Sequence, residues 1–346
     1  MKKCFILLIL STFLLIPIRA EEFTAPPAPD SAQELLPYEP SSFLDGLMHV
    51  LKKALEFAAP AFYEALELCA KALAVVLCLS LVRSVDDSIK GTLSLCATVI
   101  LGWLLLQSAD TFVTSAAETV QELSAYGKLL LPVMAAALAA QGGGGAATAL
   151  YGGTALFDAL LSSAIEKLLV PLVYGYLALA LLSAATRNEA LQKLKKSLHQ
   201  LSTKGLRIAL YIFTGYLTIT GVVGGSADQM QLKAAKLTIS GMVPVVGNIM
   251  ADASETILVS AGLVKSAVGI YGLLAIVATA LVPALTVGIR YLLLKATAAA
   301  AGLLGGKEEA DIIADFGTAM SLLLAMTLSQ TLLILVSTVC FMKGMG

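Results

Sequence analysis

Two membrane-length apolar stretches are cut by helix breakers, and this constrains the chain more than anything else in it. Leu129–Lys167 is interrupted by Pro132 and by Gly142, Gly143, Gly144 and Gly145, and Gly241–Lys265 by Pro244 and Gly247. A backbone group freed inside a bilayer has no water to bond, so breaks are tolerated there only beside protein or a polar cavity. Paired breaks of this kind point to a binding region or passage within a membrane protein.

The surrounding sequence fits a bilayer. Hydrophobic residues make up 58% of the chain and charged residues 14%, where a soluble domain carries roughly a quarter charged residues. The net charge of −1 gives no footprint for nucleic acid. The expected fold is an all-α polytopic membrane protein with about six spanning helices and two broken or re-entrant segments. The spans are Leu66–Val82, Thr92–Val113, Leu168–Ala185, Leu206–Val223, Val268–Ile289 and Phe316–Phe341. Each approaches or exceeds the ~20 residues that a crossing requires. Leu129–Gln141 would be about 20 Å long as a helix. That is too short to cross, so with Ala146–Ile165 it reads as a re-entrant or kinked hairpin.

Residues 1–20 read as a secretory signal: Lys2 and Lys3, an apolar core from Phe5 to Ile16, and a cleavage site at Ile18-Arg19-Ala20. An uncleaved first anchor is the alternative. Residues 21–42 form an acidic, proline-rich segment expected to be disordered and extracytoplasmic. Residues 43–65 read as an amphipathic helix, lying on the membrane interface or packed on the protein itself. Residues 66–346 form the membrane domain. The loop from Arg187 to Arg207 holds six basic residues against Glu189, which assigns it to the cytoplasm. Its Leu191, Leu194, Leu198 and Leu201 make one helical stripe, suited to the inner leaflet or to a docking partner.

A parallel internal repeat is suggested by the prolines. The spacing from Pro132 to Pro171 equals that from Pro244 to Pro283, and at the same offset Pro132-Val133 matches Pro244-Val245.

Charges at membrane depth mark protein interior or water-lined surface. Asn248, Asp252 and Glu255 form the densest group, with Asp252 and Glu255 on one helical face. Asp158 lies in the first broken segment, which also holds Gln141, Glu166 and Lys167. Asn248, Asp252, Glu255 and Asp158 are the candidate passage-lining residues; interfacial depth is the competing explanation for Asp252 and Glu255. Pro132, Gly142–Gly145, Pro244 and Gly247 are the candidate hinges. Gln107, Asp110 and Gln330 are further polar positions, while Arg290 and Lys295 read as helix-end residues snorkelling to the interface. There is no HExxH, GxSxG or Walker pattern, so neither catalytic residues, a cofactor nor a metal is assigned. The cysteines read as small buried hydrophobes.

The run from Gly241 to Gly269, Gly-Met-Val-Pro-Val-Val-Gly-Asn-Ile-Met-Ala-Asp-Ala-Ser-Glu-Thr onward, resembles the signature stretch of the stage III sporulation protein AE family. Tyr151-Gly-Gly-Thr-Ala-Leu-Phe157 and the layout of signal, acidic segment and polytopic body agree with it. The resemblance implies a role in endospore formation, in the mother-cell membrane around the engulfed forespore. It also implies an oligomeric complex with other stage III sporulation operon proteins and a forespore membrane partner, forming a channel or feeding conduit needed late in forespore development. The family carries no catalytic residues to transfer. The alternatives are a stand-alone ion-coupled secondary transporter and a membrane scaffold that only positions other subunits.

Overall fold

The computed structural model describes residues 25–37, 42–85, 90–219, 267–304 and 306–345. The elements are α1 (Asp30–Gln33), α2 (Phe43–Val85), α3 (Lys90–Leu138), α4 (Gly144–Ala164), α5 (Val170–Thr186), α6 (Glu189–Ile219), α7 (Ala267–Leu303) and α8 (Lys307–Gly344). A break at Ala139–Gly143, where Gly142 leaves helical geometry, precedes α4, and a single π turn at Ile165–Leu169 follows it. No strand occurs among the described residues, as expected of sequence in which long Ala- and Leu-rich runs favour helix.

Helices α3 and α4 form a tight reversal. Gly142 has φ 93°, a left-handed conformation that glycine adopts without a Cβ penalty. Pro132, by contrast, lies within α3, which continues past it to Leu138. The two arms then run back along each other, because Ser124 on α3 bonds to Asp158 on α4, positions nearly equidistant from Gly142. Helix α5 continues the direction of α4 through the π turn. The chain reverses again at Arg187, whose φ of 53° ends α5, with its N–H bonded to the Ser183 carbonyl. The Asn188 side chain then accepts the Ala190 N–H at 2.8 Å and caps α6.

The remaining long helices align with these. Ser80 Oγ of α2 donates to the Leu304 carbonyl just past α7, so α2 and α7 end at one height. Glycines allow close approach: a Cβ at Gly127 would sit 2.8 Å from Ile334, and one at Gly272 would sit 2.9 Å from Leu130. Small residues serve helix packing in this way when hydrophobic driving force between helices is weak. Helix α8 occupies the centre of the bundle. Every residue from Phe316 to Met342 is buried except Thr318, Leu328 and Val336, which are partly buried.

Four helical stretches among the described residues are long and apolar enough to cross a membrane: Phe43–Val82, Leu95–Thr186, Val268–Leu303 and Lys307–Gly344. These four stretches and the six expected spans divide the chain differently: the Leu95–Thr186 stretch folds back at Gly142 and holds two of the expected spans, and a further expected span runs past the described residues. Leu66–Val82 is the second half of one 43-residue helix. Thr92–Val113 and Leu168–Ala185 largely belong to a single apolar helical stretch, broken at Gly142. Leu206–Val223 begins inside α6 and runs past the described residues. The suggested repeat also depends on Pro244, which lies outside them.

Candidate functional site

The buried stripe of α4 comprises Ala147, Leu150, Thr154, Asp158, Leu161 and Ser162, spaced mostly three or four apart as an inward helical face requires. That spacing drives the Asp158 carboxylate into the interior, where it is 2% exposed. It accepts a bond from Ser124 Oγ at 2.7 Å on one oxygen and from Gln330 Nε2 on the other. The site therefore joins α3, α4 and α8. A carboxyl group taken out of water needs such donors, since an unpaired buried charge is very costly. Gln330 is fully buried, and its Oε1 and the Thr154 hydroxyl one turn before Asp158 have no hydrogen-bond partner.

The other hydroxyls in this part of α8 are satisfied within the helix. Thr327, Ser329, Thr331, Ser337 and Thr338 each donate to the carbonyl four residues earlier, a local bond open to Ser and Thr. Gln330 is too long for that bond and reaches across to α4 instead.

Arg290 departs from the snorkelling expectation. Helix α7 runs on to Leu303, so Arg290 is interior to it, and it is only 6% exposed. Its guanidinium stacks 4.1 Å from the centre of the Phe112 ring, a cation–π arrangement. Nη2 lies 3.6 Å from Glu64 Oε2, while Nε and Nη1 make no hydrogen bond. A small cavity lined by Leu68, Leu105, Ser108, Phe112 and Phe316 adjoins it.

A third polar group fixes α6 to α8. Lys195 pairs with Asp315, whose other oxygen accepts the Tyr176 hydroxyl at 3.0 Å. Arg187 pairs with Glu308 at 2.7 Å near the helix starts. His199, one turn from Lys195, has a buried Nδ1 without a partner. Burial, reinforced by the nearby Lys295 charge, holds its pKa below the usual histidine value.

Of the sequence-predicted residues, Asp158 is brought together with Gln330. Ser124, not singled out by sequence, completes the group, brought to Asp158 by the reversal at Gly142. Gly142, Gly144 and Gly145 are exposed and Gly143 partly buried at the reversal. Asn248, Asp252, Glu255, Pro244 and Gly247 lie outside the described residues. No cluster of metal-binding side chains occurs among the described residues.

The profile of the family described as stage III sporulation protein AE matches residues 45–344. The chain belongs to this family. The match runs from near the start of α2 to the end of α8. A relative named stage III sporulation protein AE, from Bacillus subtilis (strain 168), is 27% identical over 209 residues. That alignment takes in 60% of this chain and 52% of the relative, so the chain spans about half the length of the curated family member. No solved structure matches the chain.

Proposed function

We propose that this protein is a non-enzymatic membrane subunit of a sporulation channel or transport complex that links mother cell and forespore and is needed for late forespore development. The observation that carries this reading is the family match over residues 45–344, joined to four apolar helical stretches of spanning length. The partners are the other stage III sporulation operon proteins and a forespore membrane protein, and the site of action is the mother-cell membrane around the forespore.

The proposed passage-lining residues are Asn248, Asp252, Glu255 and Asp158. Helix α8 fills the axis of the described bundle, which argues for a passage off that axis, formed with residues 220–266 or between subunits. The filled axis also favours a second reading, a scaffold that positions other subunits and moves nothing.

The test is genetic. A strain lacking the gene loses late forespore reporter expression, and a tagged copy isolated from sporulating membranes carries its operon partners with it. Normal reporter activity in the null strain removes the complex from consideration. Asp252→Ala with Glu255→Ala separates the two readings: expression falls if the acids line a passage. It stays normal, at normal protein level, if the chain is a scaffold.

A further inference from the structure

Helix α6 presents an unusual outward face. Its buried side carries Lys195, His199, Ser202 and Leu206, so polar groups point in over its first half. The flank beside it carries apolar residues. Leu194, Leu201, Ile208 and Ile212 are between 49% and 61% exposed. With the partly covered Leu191 and Leu198 and the exposed Gly205 and Gly215, they alternate at spacings of three and four from Leu191 to Gly215. From Leu191 to Gly205 this is a strict 3–4 stripe, the seam of a helix pair and narrower than the broad apolar face that a lipid surface takes; beyond Gly205 the exposed Tyr211 widens it. A Cβ at Gly205 or Gly215 would meet nothing within 4 Å, so the seam is open where a second helix would approach most closely.

The orientation of α6 argues further against a leaflet-bound role for this stripe. A helix held on the surface of one leaflet lies in the membrane plane. Helix α6 instead stands along the bundle. Near its start Lys195 meets Asp315 in the first part of α8, and near its end Tyr216 bonds to the Ala149 carbonyl of α4. It is one unbroken helix between those ties.

The charge beside the seam selects the partner. Lys193 and Lys204 are exposed on its far border, with Lys196 and Arg207 beyond them, and Glu189 is the one acid on α6. A second copy of α6 would set these lysines against their own kind. We infer that the seam Leu191–Gly205 docks an acidic amphipathic helix of another protein, with leucine-type residues in the seam and carboxylates opposite Lys193 and Lys204. This deepens the reading of the chain as a subunit of an assembly and rests on it.

The probes are two synthetic helical peptides, each long enough to cover the seam from Leu191 to Gly205. Their leucine seams are identical, but one is flanked by glutamates and the other by lysines, and both are added to the full-length protein in nanodiscs. The glutamate peptide binds and the lysine peptide does not. Leu201→Asp weakens binding at least tenfold, Leu194→Gln does so more mildly, and Lys193→Glu with Lys204→Glu reverses the preference. Equal binding of both peptides, or undiminished binding of the glutamate peptide to Leu201→Asp, overturns the proposal. Seam positions shielded from a water-soluble thiol reagent only when phosphatidylglycerol is present, with no peptide binding, assign the stripe to lipid and overturn it as well. A photo-cross-linker at position 201 that joins only residues 220–266 of the same chain does so too. If operon partners still co-isolate with the Leu201→Asp protein, the assembly stands and only this docking surface is lost.

Discussion

Helices α6 and α8 are neighbours, and they bury opposite chemistries. Helix α8 is surrounded on all sides, and the polar residues along its buried length are self-satisfied hydroxyls plus one glutamine that reaches Asp158. Helix α6 is covered on one side only. There, over its first half, it turns a lysine, a histidine and a serine inward while leaving leucines and isoleucines outside. In water such an arrangement would be inverted. It makes sense where the outside is lipid or another helix and the inside must carry the specific polar contacts. The centre of the bundle is thus held by packing with one cross-helix polar lock, and its flank by ion pairs that can be separated without opening the core.

The largest expected effect tests the lock. Gln330→Leu leaves Asp158 bonded through Ser124 alone and should cost about 1.5–3 kcal/mol, the range for a lost bond to a charged group. Replacing the whole group, with Ser124→Ala, Asp158→Leu and Gln330→Leu together, should recover most of that loss, because buried polar networks are often matched by apolar residues of similar volume. Unfolding of the purified protein in micelles by denaturant measures both. If Gln330→Leu is as stable as the parent, the group does not lock the three helices.

The flank should respond less. Lys195 and Asp315 are 17% and 15% exposed, against 60% and 40% for Arg187 and Glu308. Lys195→Met should cost about 1–2 kcal/mol, since Asp315 keeps only the Tyr176 bond. A double-mutant cycle with Asp315→Asn should return a clear coupling energy. Arg187→Ala serves as the contrast, with about 0.5 kcal/mol or less, as solvent-exposed pairs give. Hydrogen exchange along α6 should rise in Lys195→Met while exchange in α8 stays unchanged. Equal losses for Lys195 and Arg187 would erase the distinction between a half-buried clamp and a surface pair.

Much of this is legible before any fold is known. The apolar runs announce a helical membrane protein, the glycine run marks where the chain turns, and Asp158 stands out as an acid too deep to be incidental. What sequence does not supply is the pairing. Gln330 is visible as a polar residue in an apolar run, but its partner is 172 positions away, and local spacing carries no signal over that range. Ser124 sits among ordinary polar residues, and only the reversal at Gly142 gives it meaning. Arg290 misleads because a hydrophobic window ends at the first charge, whereas a helix ends where its backbone bonds do. The α6 stripe is recognisable as apolar, but whether it faces the bundle or the outside depends on Lys195 finding Asp315.

The smallest effect concerns His199 and separates the two helices by pH. Its pKa in the fold is lowered, chiefly by burial and then by Lys295, from the usual 6.5. The unfolded chain therefore takes up the proton first as pH falls, so the fold keeps its full stability above about 6.5 and loses part of it progressively below. Tyr176, 6.2 Å from the His199 ring, and the Lys195–Asp315 pair one turn away place this loss on the α6 contact. His199→Asn should flatten the slope of melting temperature between pH 7.5 and 5.5, and the Gln330 variants should leave that slope as it is. A slope that survives His199→Asn would assign the acid sensitivity to another group and leave the α6 contact insensitive to protons.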